Sequence, residues 1–255
     1  MANWKADDGT SINFEVHGEG IGKENLLLLP GILGAISSEW RPFVDVLAND
    51  FRVILMDFRG HGLSTNAQPA LRPERMVDDV IGLLEFLGVR NVHIAGYSLG
   101  GYIGLLTLLK EPRRVQTLLM HGSKFYWNKE TVEKMQKQFD PDALSEQAPN
   151  YATQLAQEHG GSRWRALVRQ TADLIGLISE DAITERMAAR IQTPILVSVG
   201  DHDSSVPLLE CARLSHILPN GGLLVLPHTR HPFSTVSAIP LIPMMRAFHR
   251  APSRR

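Results

Sequence analysis

The chain has 255 residues, of which 44% are hydrophobic and 21% are charged, and 26 lysines and arginines balance 27 aspartates and glutamates to a formal net charge of −1. A chain of this length and composition has ample apolar material for a large core and is typical of a globular enzyme. The balanced charge indicates neither a nucleic-acid partner nor a membrane surface, so we expect a small-molecule substrate.

Targeting and redox signals are weak in this sequence. Residues 1–20 carry acids and glycines where a signal peptide needs an apolar stretch, and no apolar run reaches the length of a membrane span. We therefore expect a cytoplasmic protein. The single cysteine, Cys211, excludes an internal disulfide and a cysteine cluster for zinc, and we expect it to be a small buried side chain on a helix.

Short apolar segments alternate with longer amphipathic ones, which predicts a parallel sheet with helices on both faces. The first segment, residues 10–20, alternates apolar and polar residues and predicts an antiparallel edge strand with one solvent-exposed face. Nearly continuous apolar runs predict buried strands at residues 25–31, 51–58, 91–98, 115–122 and 193–201, and a further strand is predicted at residues 221–227. Amphipathic stretches predict helices at residues 37–50, 72–88 and 100–114.

The alternation stops after His121. Residues 124–190 are polar, favour helices and contain no convincing strand, and the strand pattern returns at residue 193. The simplest interpretation is a helical segment inserted between two strands, which lies as a lid above the carboxyl ends of the sheet. We predict a core domain of residues 1–123 and 191–255 and an inserted helical cap domain of residues 124–190.

The segment IAGYSLGGYIG, residues 94–104, holds one serine between glycines and fits the pattern G-x-S-x-G, with an apolar strand before it and a helix after it. In this setting a strained strand-to-helix turn projects the hydroxyl of Ser98 above the sheet. The same turn places the backbone N–H of Leu99 at a helix N-terminus, where it can donate to a developing oxyanion. Ser98 is therefore the candidate nucleophile.

A serine nucleophile needs a base to accept its proton and an acid to orient that base. Two later strand ends offer both. Asp201 and Asp203 follow the strand at residues 193–201, and His228 and His231 follow the next strand. The residues alone leave open which member of each pair takes the role.

Five segments of the chain resemble the α/β-hydrolase fold family, in the family's order of serine, acid and histidine and over almost the whole chain. They are LPGILG, MDFRGHGLS, GYSLGG, GDHDSSVP and HTRHPF, residues 29–34, 56–64, 96–101, 200–207 and 228–233. The resemblance implies an α/β fold with a mostly parallel eight-stranded sheet, helices on both faces and a helical cap. It also implies a serine hydrolase that needs no metal and no organic cofactor.

The resemblance assigns the acid and the base. In relatives the acid is usually the last residue of a G-x-x-D turn followed by a proline, which selects Asp203 and leaves Asp201 as a turn residue. The histidine of the usual P-x-x-G-H turn falls on His231 rather than His228, although Arg230 replaces the common glycine.

The resemblance also assigns the second oxyanion donor, which comes from the loop after the third strand. The family often has His-Gly in this loop, whereas this chain has Pro-Gly-Ile at residues 30–32. The backbone N–H of Ile32 is the implied donor, and Gly31 allows the loop to pass close to the serine.

Candidates for the pocket lining are Tyr97, His121, Phe125, Tyr126 and Trp127. All but Tyr97 also have a structural alternative. His121 could be a buried histidine whose ring nitrogens are hydrogen-bonded within the core, and the three aromatic residues at the start of the cap could pack it onto the sheet.

For four further polar residues we expect a structural role rather than a role in substrate binding. His61 is expected to support the DFRGHGLS loop. Arg163, Arg165 and Arg169 of the predicted cap are expected on a solvated helix face, with attraction of an acidic substrate as the alternative.

The favoured reaction is hydrolysis of a carboxylic ester or lactone of small to medium size through an acyl-enzyme on Ser98. Carbon–carbon bond hydrolases, cofactor-free haloperoxidases (perhydrolases) and the menaquinone-pathway synthase resemble this chain in the same motifs. The synthase usually carries an arginine directly after the elbow glycines, where this chain has Tyr102. A non-catalytic ligand receptor is a further alternative. The sequence predicts neither the natural substrate nor the oligomeric state.

Overall fold

A computed structural model describes residues 2–250, in which eight strands form one mostly parallel sheet in the order β1-β2-β4-β3-β5-β6-β7-β8. The strands are β1 (Ala2–Lys5), β2 (Ser11–His17), β3 (Asn25–Leu29), β4 (Arg52–Met56), β5 (Val92–Tyr97), β6 (Val115–His121), β7 (Ile195–Gly200) and β8 (Gly221–Leu226). The five predicted buried strands and the further strand at residues 221–227 are all present, and that last strand, β8, is a largely exposed edge of the sheet. The outer ends of the predicted core domain, residue 1 and residues 251–255, lie outside the described residues.

Ten α-helices lie within residues 2–250, together with a 3₁₀ turn at Phe233–Thr235. They are α1 (Arg41–Ala48), α2 (Pro73–Phe86), α3 (Leu99–Lys110), α4 (Lys129–Gln138), α5 (Pro141–Gln147), α6 (Pro149–His159), α7 (Trp164–Glu180), α8 (Glu185–Ala188), α9 (Leu208–Ile217) and α10 (Ala238–His249). Helix α1 begins four residues later than predicted, since residues 37–40 form turns that lead into it.

The antiparallel strand at the start of the chain differs from its prediction in one respect. Strand β2 is antiparallel to both of its neighbours, as predicted, but it does not form the edge of the sheet. The edge is β1, whose four residues pair with β2. Because β2 is paired on both sides and packed by the core, Asn13 on the predicted solvent-exposed face is buried, like the apolar Ile12 and Phe14 on the opposite face.

The sheet separates two hydrophobic clusters. Side chains alternate along β3, so Leu27 and Leu29 join one cluster and Leu26 and Leu28 join the other. The first cluster includes apolar residues of α2, α3 and α9, and the second includes those of α1 and α10. Helices therefore cover both faces, as predicted. Cys211 is buried on α9, in the environment expected for it.

Helices α4 to α8 all lie between β6 and β7, at the position of the predicted insertion. We refer to residues 124–190 as the helical insertion. Its division from the core as a separate cap domain stays a prediction. Within the described residues, none of the helices combines the length and the apolar character needed to cross a bilayer, and the cytoplasmic location also stays a prediction.

Candidate active site

Ser98 sits between β5 and α3 in a backbone conformation that L-residues seldom adopt, with φ 49° and ψ −114°. Strain of this kind persists only where the surroundings enforce it. Here Gly96 and Gly100, which have no side chains, allow neighbouring backbone segments to pack directly against each other. A Cβ atom on Gly96 would lie 2.3 Å from the backbone of Gly100, and one on Gly100 would lie 2.4 Å from the carbonyl oxygen of Leu29. The predicted strained turn is present, and it lies against the end of β3.

Gly100→Ala is expected to destabilise the protein by about 2 to 3 kcal/mol, because its Cβ would meet two backbone carbonyls, which cannot rotate away as a side chain can. Urea denaturation followed by circular dichroism measures the free energy of unfolding. Gly161→Ala is the matched control, since a Cβ at Gly161 meets no atom within 4 Å. Equal stabilities of the two variants would contradict the close packing of the turn.

Three predicted side chains meet above the sheet. The Oγ of Ser98 lies 3.4 Å from Nε2 of His231, and Nδ1 of His231 lies 2.9 Å from Oδ2 of Asp203. The serine–histidine contact is long for a hydrogen bond, and contacts of this kind commonly tighten when a substrate binds. The order and the contacts are those of a nucleophile, a base and an orienting acid.

Asp203 is held in place from both of its oxygens. Its side chain is only 2% exposed, Oδ2 contacts His231, and Oδ1 accepts the backbone N–H groups of Ser205 at 2.8 Å and Val206 at 2.9 Å. Burial alone would raise the pKa of Asp203, but the hydrogen bond and charge of His231 and the two N–H donors outweigh it and hold the pKa below its usual value. Asp203 is therefore ionised and fixed beside the histidine.

The loop that carries His231 is fixed by Tyr97. The hydroxyl of Tyr97 donates to the carbonyl oxygen of His231 at 2.5 Å, and its ring packs against Phe233 with ring centroids 4.8 Å apart. Tyr97 is the last residue of β5, directly before Ser98, so one strand end positions both the nucleophile and the loop of the base.

Asp201 and His228, the alternatives to Asp203 and His231, are exposed and make no contact with Ser98. Asp201 accepts the backbone N–H of Thr229 at 3.1 Å and so joins the acid loop to the histidine loop, which is a turn role. Asp201, His202 and His228 do bring potential metal-ligand atoms within 4.8 Å of one another. However, Nε2 of His202 lies 3.9 Å from Oδ2 of Asp201. Two ligand atoms bound to one tetrahedral zinc ion lie about 3.4 Å apart, so this pair is too widely separated.

The two predicted oxyanion donors lie on adjacent segments. Leu99 is the first residue of α3, and Ile32 lies in the loop after β3, which the close approach of Gly100 to Leu29 and Pro30 holds beside Ser98. Within residues 2–250, neither N–H donates to another protein group. Both amides are therefore available to a ligand.

A cavity of about 750 Å³ opens at Ser98 and His231. The loop after β3 contributes Ile32 and Glu39 to its wall. The helical insertion contributes residues of α4, α6 and the segment after α4: Thr131, Lys134, Met135, Gln138, Phe139, Tyr151, Gln154 and Glu158. The insertion thus forms one side of the cavity.

Of the five predicted lining residues, only Tyr97 lines this cavity. The chain directly after β6 stays beside the site, where Lys124 lines the cavity, but the side chains of the other four predicted residues pack elsewhere. His121 is 1% exposed and shares a hydrogen bond of 3.0 Å with Ser198, and burial lowers its pKa to about 4. Its structural alternative is the one supported here.

The three aromatic residues that open the insertion pack it onto the rest of the protein, which was the alternative reading of their role. Phe125 is buried in the core. The guanidinium of Arg213 on α9 lies over the ring of Tyr126, 5.2 Å from its centroid, and Trp127 contacts the ring of Tyr102 edge-on. The prediction that they line the pocket is wrong for the cavity at Ser98.

His61 is buried and bonded to the carbonyl oxygen of Arg59 at 3.0 Å, in keeping with its expected role in the loop after β4. Arg165 is half-buried and Arg169 is exposed, and both pair with Asp142. Arg163 departs from the solvated role, because its guanidinium donates to carbonyl oxygens of that same loop. None of the three arginines lines the cavity.

Two buried side chains that the sequence did not single out hold the loop after β3. Glu39 accepts the backbone N–H of Gly31 at 2.7 Å. His159, at the end of α6, contacts the carbonyl oxygen of Leu33 at 3.0 Å and accepts the N–H of Gly62 at 2.8 Å. Burial is the main cause that lowers the pKa of His159, so the ring is neutral and serves as donor and acceptor. No sequence pattern marks either residue.

Known proteins match this architecture. The sequence model of the family described as alpha/beta hydrolase fold matches residues 24–175, so the chain belongs to the α/β hydrolase fold family. One relative, "Putative carbamate hydrolase RutD" of Variovorax paradoxus strain S110, is 30% identical over 251 residues, which cover 89% of this chain and 91% of that protein. The protein of the same name from Agrobacterium fabrum strain C58 is 27% identical over 243 residues, which cover 86% of this chain and 91% of that protein.

Among solved structures, a thermophilic esterase from Thermogutta terrifontis aligns with a TM-score of 0.78 at 20% identity over 98% of both chains. At this identity the likeness shows the fold alone. The family match and the hydrolase relatives support a hydrolytic enzyme.

Proposed function

We propose that the protein is a serine hydrolase that cleaves a carboxylic ester or lactone of small to medium size through an acyl-enzyme. The observation that carries this proposal is the chain of contacts from Ser98 through His231 to Asp203 at the wall of a cavity. We also propose that the helical insertion acts as a cap domain, since α4 and α6 form one side of that cavity.

The reaction follows from the geometry in two halves. In the first, Oγ of Ser98 attacks the substrate carbonyl while Nε2 of His231 takes the hydroxyl proton. The N–H groups of Ile32 and Leu99 hold the oxyanion, and Asp203 keeps the proton of Nδ1 in place. The tetrahedral intermediate then expels the alkoxide, which takes the proton from His231, and the acyl group stays on Ser98.

In the second half, water gives a proton to His231 and attacks the acyl carbonyl. The second oxyanion collapses, the bond to Ser98 breaks, and the serine recovers its proton from His231. A lactone follows the same steps, except that its alcohol stays attached to the acyl chain, so hydrolysis of the acyl-enzyme releases a single hydroxy acid.

Carbamate hydrolysis is the second candidate, because two relatives that match most of the chain carry that name. A carbamate presents a carbonyl to the same nucleophile and oxyanion donors, so the triad serves either substrate. Its carbonyl is less electrophilic than that of an ester, and the cavity has to bind its nitrogen.

The test is a panel of p-nitrophenyl esters from acetate to dodecanoate, simple lactones and p-nitrophenyl carbamates, measured as initial rates. We expect ester or lactone turnover at least about tenfold above that of the carbamate of matched size, and a fall in kcat/KM for the longest acyl chains, because the cavity holds only about 750 Å³. Faster carbamate turnover would assign the second candidate instead. No turnover of any member by folded protein would contradict both.

A further inference from the structure

Glu39 lies beneath the loop that supplies the second oxyanion donor. Its side chain is buried, with 8% of the residue exposed, and Oε2 accepts the N–H of Gly31 at 2.7 Å. The loop curves around this carboxyl group: a Cβ on Gly34 would lie 2.4 Å from Oε1. Leu33, between the two glycines, has a left-handed φ of 55°, so the loop needs such contacts to keep its shape.

The same carboxyl group borders the reacting centre. Glu39 lines the cavity together with Ser98, and its partner Gly31 directly precedes Ile32, the proposed oxyanion donor. Within residues 2–250, no lysine, arginine or histidine nitrogen lies within the 4.0 Å of its carboxyl oxygens that an ion pair requires. The titratable and charged groups that line the same cavity are Tyr97, Lys124, Lys134, Tyr151, Glu158, Glu210 and His231.

Burial without a cation raises the pKa of Glu39 to about 8, although the Gly31 N–H opposes the shift, and the negative charge of Glu158 adds to it. At pH 7 the group is therefore a neutral carboxylic acid. Its oxygen still accepts the Gly31 N–H, while no negative charge stands beside the developing oxyanion. Ionisation would place such a charge there in a site of low dielectric, where it would oppose the transition state.

We propose that Glu39 is a positioning residue that holds the oxyanion loop in its neutral form and slows the reaction when it ionises. The inference rests on the proposed function of Ser98, because it concerns the oxyanion formed by attack of that serine.

The pH dependence of kcat/KM tests the inference with the fastest ester of the panel. The native rate is expected to fall at least about tenfold as pH rises through about 8, because the repulsion acts on the charged oxyanion. Glu39→Gln keeps an oxygen for the Gly31 N–H but cannot ionise, so its alkaline fall is expected to disappear. Glu39→Ala loses the contact, and its kcat at pH 7 is expected to be about tenfold below that of Glu39→Gln, with a smaller change in KM.

Glu158→Gln supplies a second check. Removal of the Glu158 charge is expected to move the alkaline inflection to lower pH, since that charge raises the pKa of Glu39. A residue with a merely structural role would give a stability change without these pH shifts. Circular dichroism of every variant confirms that it is folded before its rates are compared.

Carbon-13 NMR of the side-chain carboxyl carbons measures the titration of Glu39 directly and needs no enzyme activity. Spectra of the Ser98→Ala variant are compared with those of the Ser98→Ala, Glu39→Gln double variant. We expect a glutamate signal that titrates near pH 8 and is lost with Glu39. If native turnover depends on Ser98 and the alkaline fall survives in Glu39→Gln, this inference is overturned and the proposed function stands. If turnover does not depend on Ser98, the proposed function fails, and a Glu39 signal that titrates in the ordinary carboxyl range overturns the inference separately.

Discussion

Ser98→Ala is expected to lower kcat for the best ester substrate by at least about 10⁴-fold, because no other group at this position can form the acyl-enzyme. The backbone at residue 98 stays equally unfavourable for alanine and serine, so the turn is expected to remain folded. Initial rates with substrate concentrations on both sides of KM separate kcat from KM.

Ser179→Ala is the matched control, since Ser179 lies on α7 and bonds only to the backbone of Gly176. We expect it to keep native kinetics. A Ser98→Ala protein that retains more than about one hundredth of native kcat would show that turnover proceeds by another route.

Asp203→Asn is expected to lower kcat by about 10⁴-fold with little change in KM, because an asparagine amide can donate to Nδ1 of His231 and so stabilise the tautomer that cannot accept the serine proton at Nε2. The neutral amide also withdraws the charge that stabilises the imidazolium formed during attack. The same steady-state assay measures the loss, across a range of pH.

Asp201→Asn controls for the loss of one acidic charge in the same loop. Asp201 accepts the backbone N–H of Thr229 in the histidine loop and does not contact His231, so its variant is expected to lose less than about tenfold in kcat. Small and equal effects of the two substitutions would remove Asp203 from the mechanism.

Much of the core could be predicted from the sequence, because strands β3 to β7 are buried on both faces and read as nearly continuous apolar runs. The helical insertion was equally visible as a long segment without strand pattern. The edge strand was not, because the four residues of β1 are largely exposed and carry no apolar run. Without β1, the alternating segment of β2 looked like the edge.

The catalytic residues of the site could also be predicted from the sequence, whereas the wall of its pocket could not. Ser98, Asp203 and His231 each follow a strand, and the carboxyl ends of parallel strands meet at one edge of the sheet, so motif and topology together bring them into contact. The pocket wall depends on the path of the insertion after β6, which local sequence does not determine. Glu39 was missed for a related reason: its importance comes from a loop that returns the chain to Gly31, and its local sequence predicted only a helix.

The central claim is that Ser98 is an activated nucleophile, and its most direct test is reaction of the folded protein with a fluorophosphonate, followed by peptide mass spectrometry. The account predicts one adduct per chain, located on Ser98, and labelling slowed at least about 100-fold in His231→Ala because the base is lost. Folded native protein that gives no adduct on Ser98, or labels at an unchanged rate without His231, would contradict it.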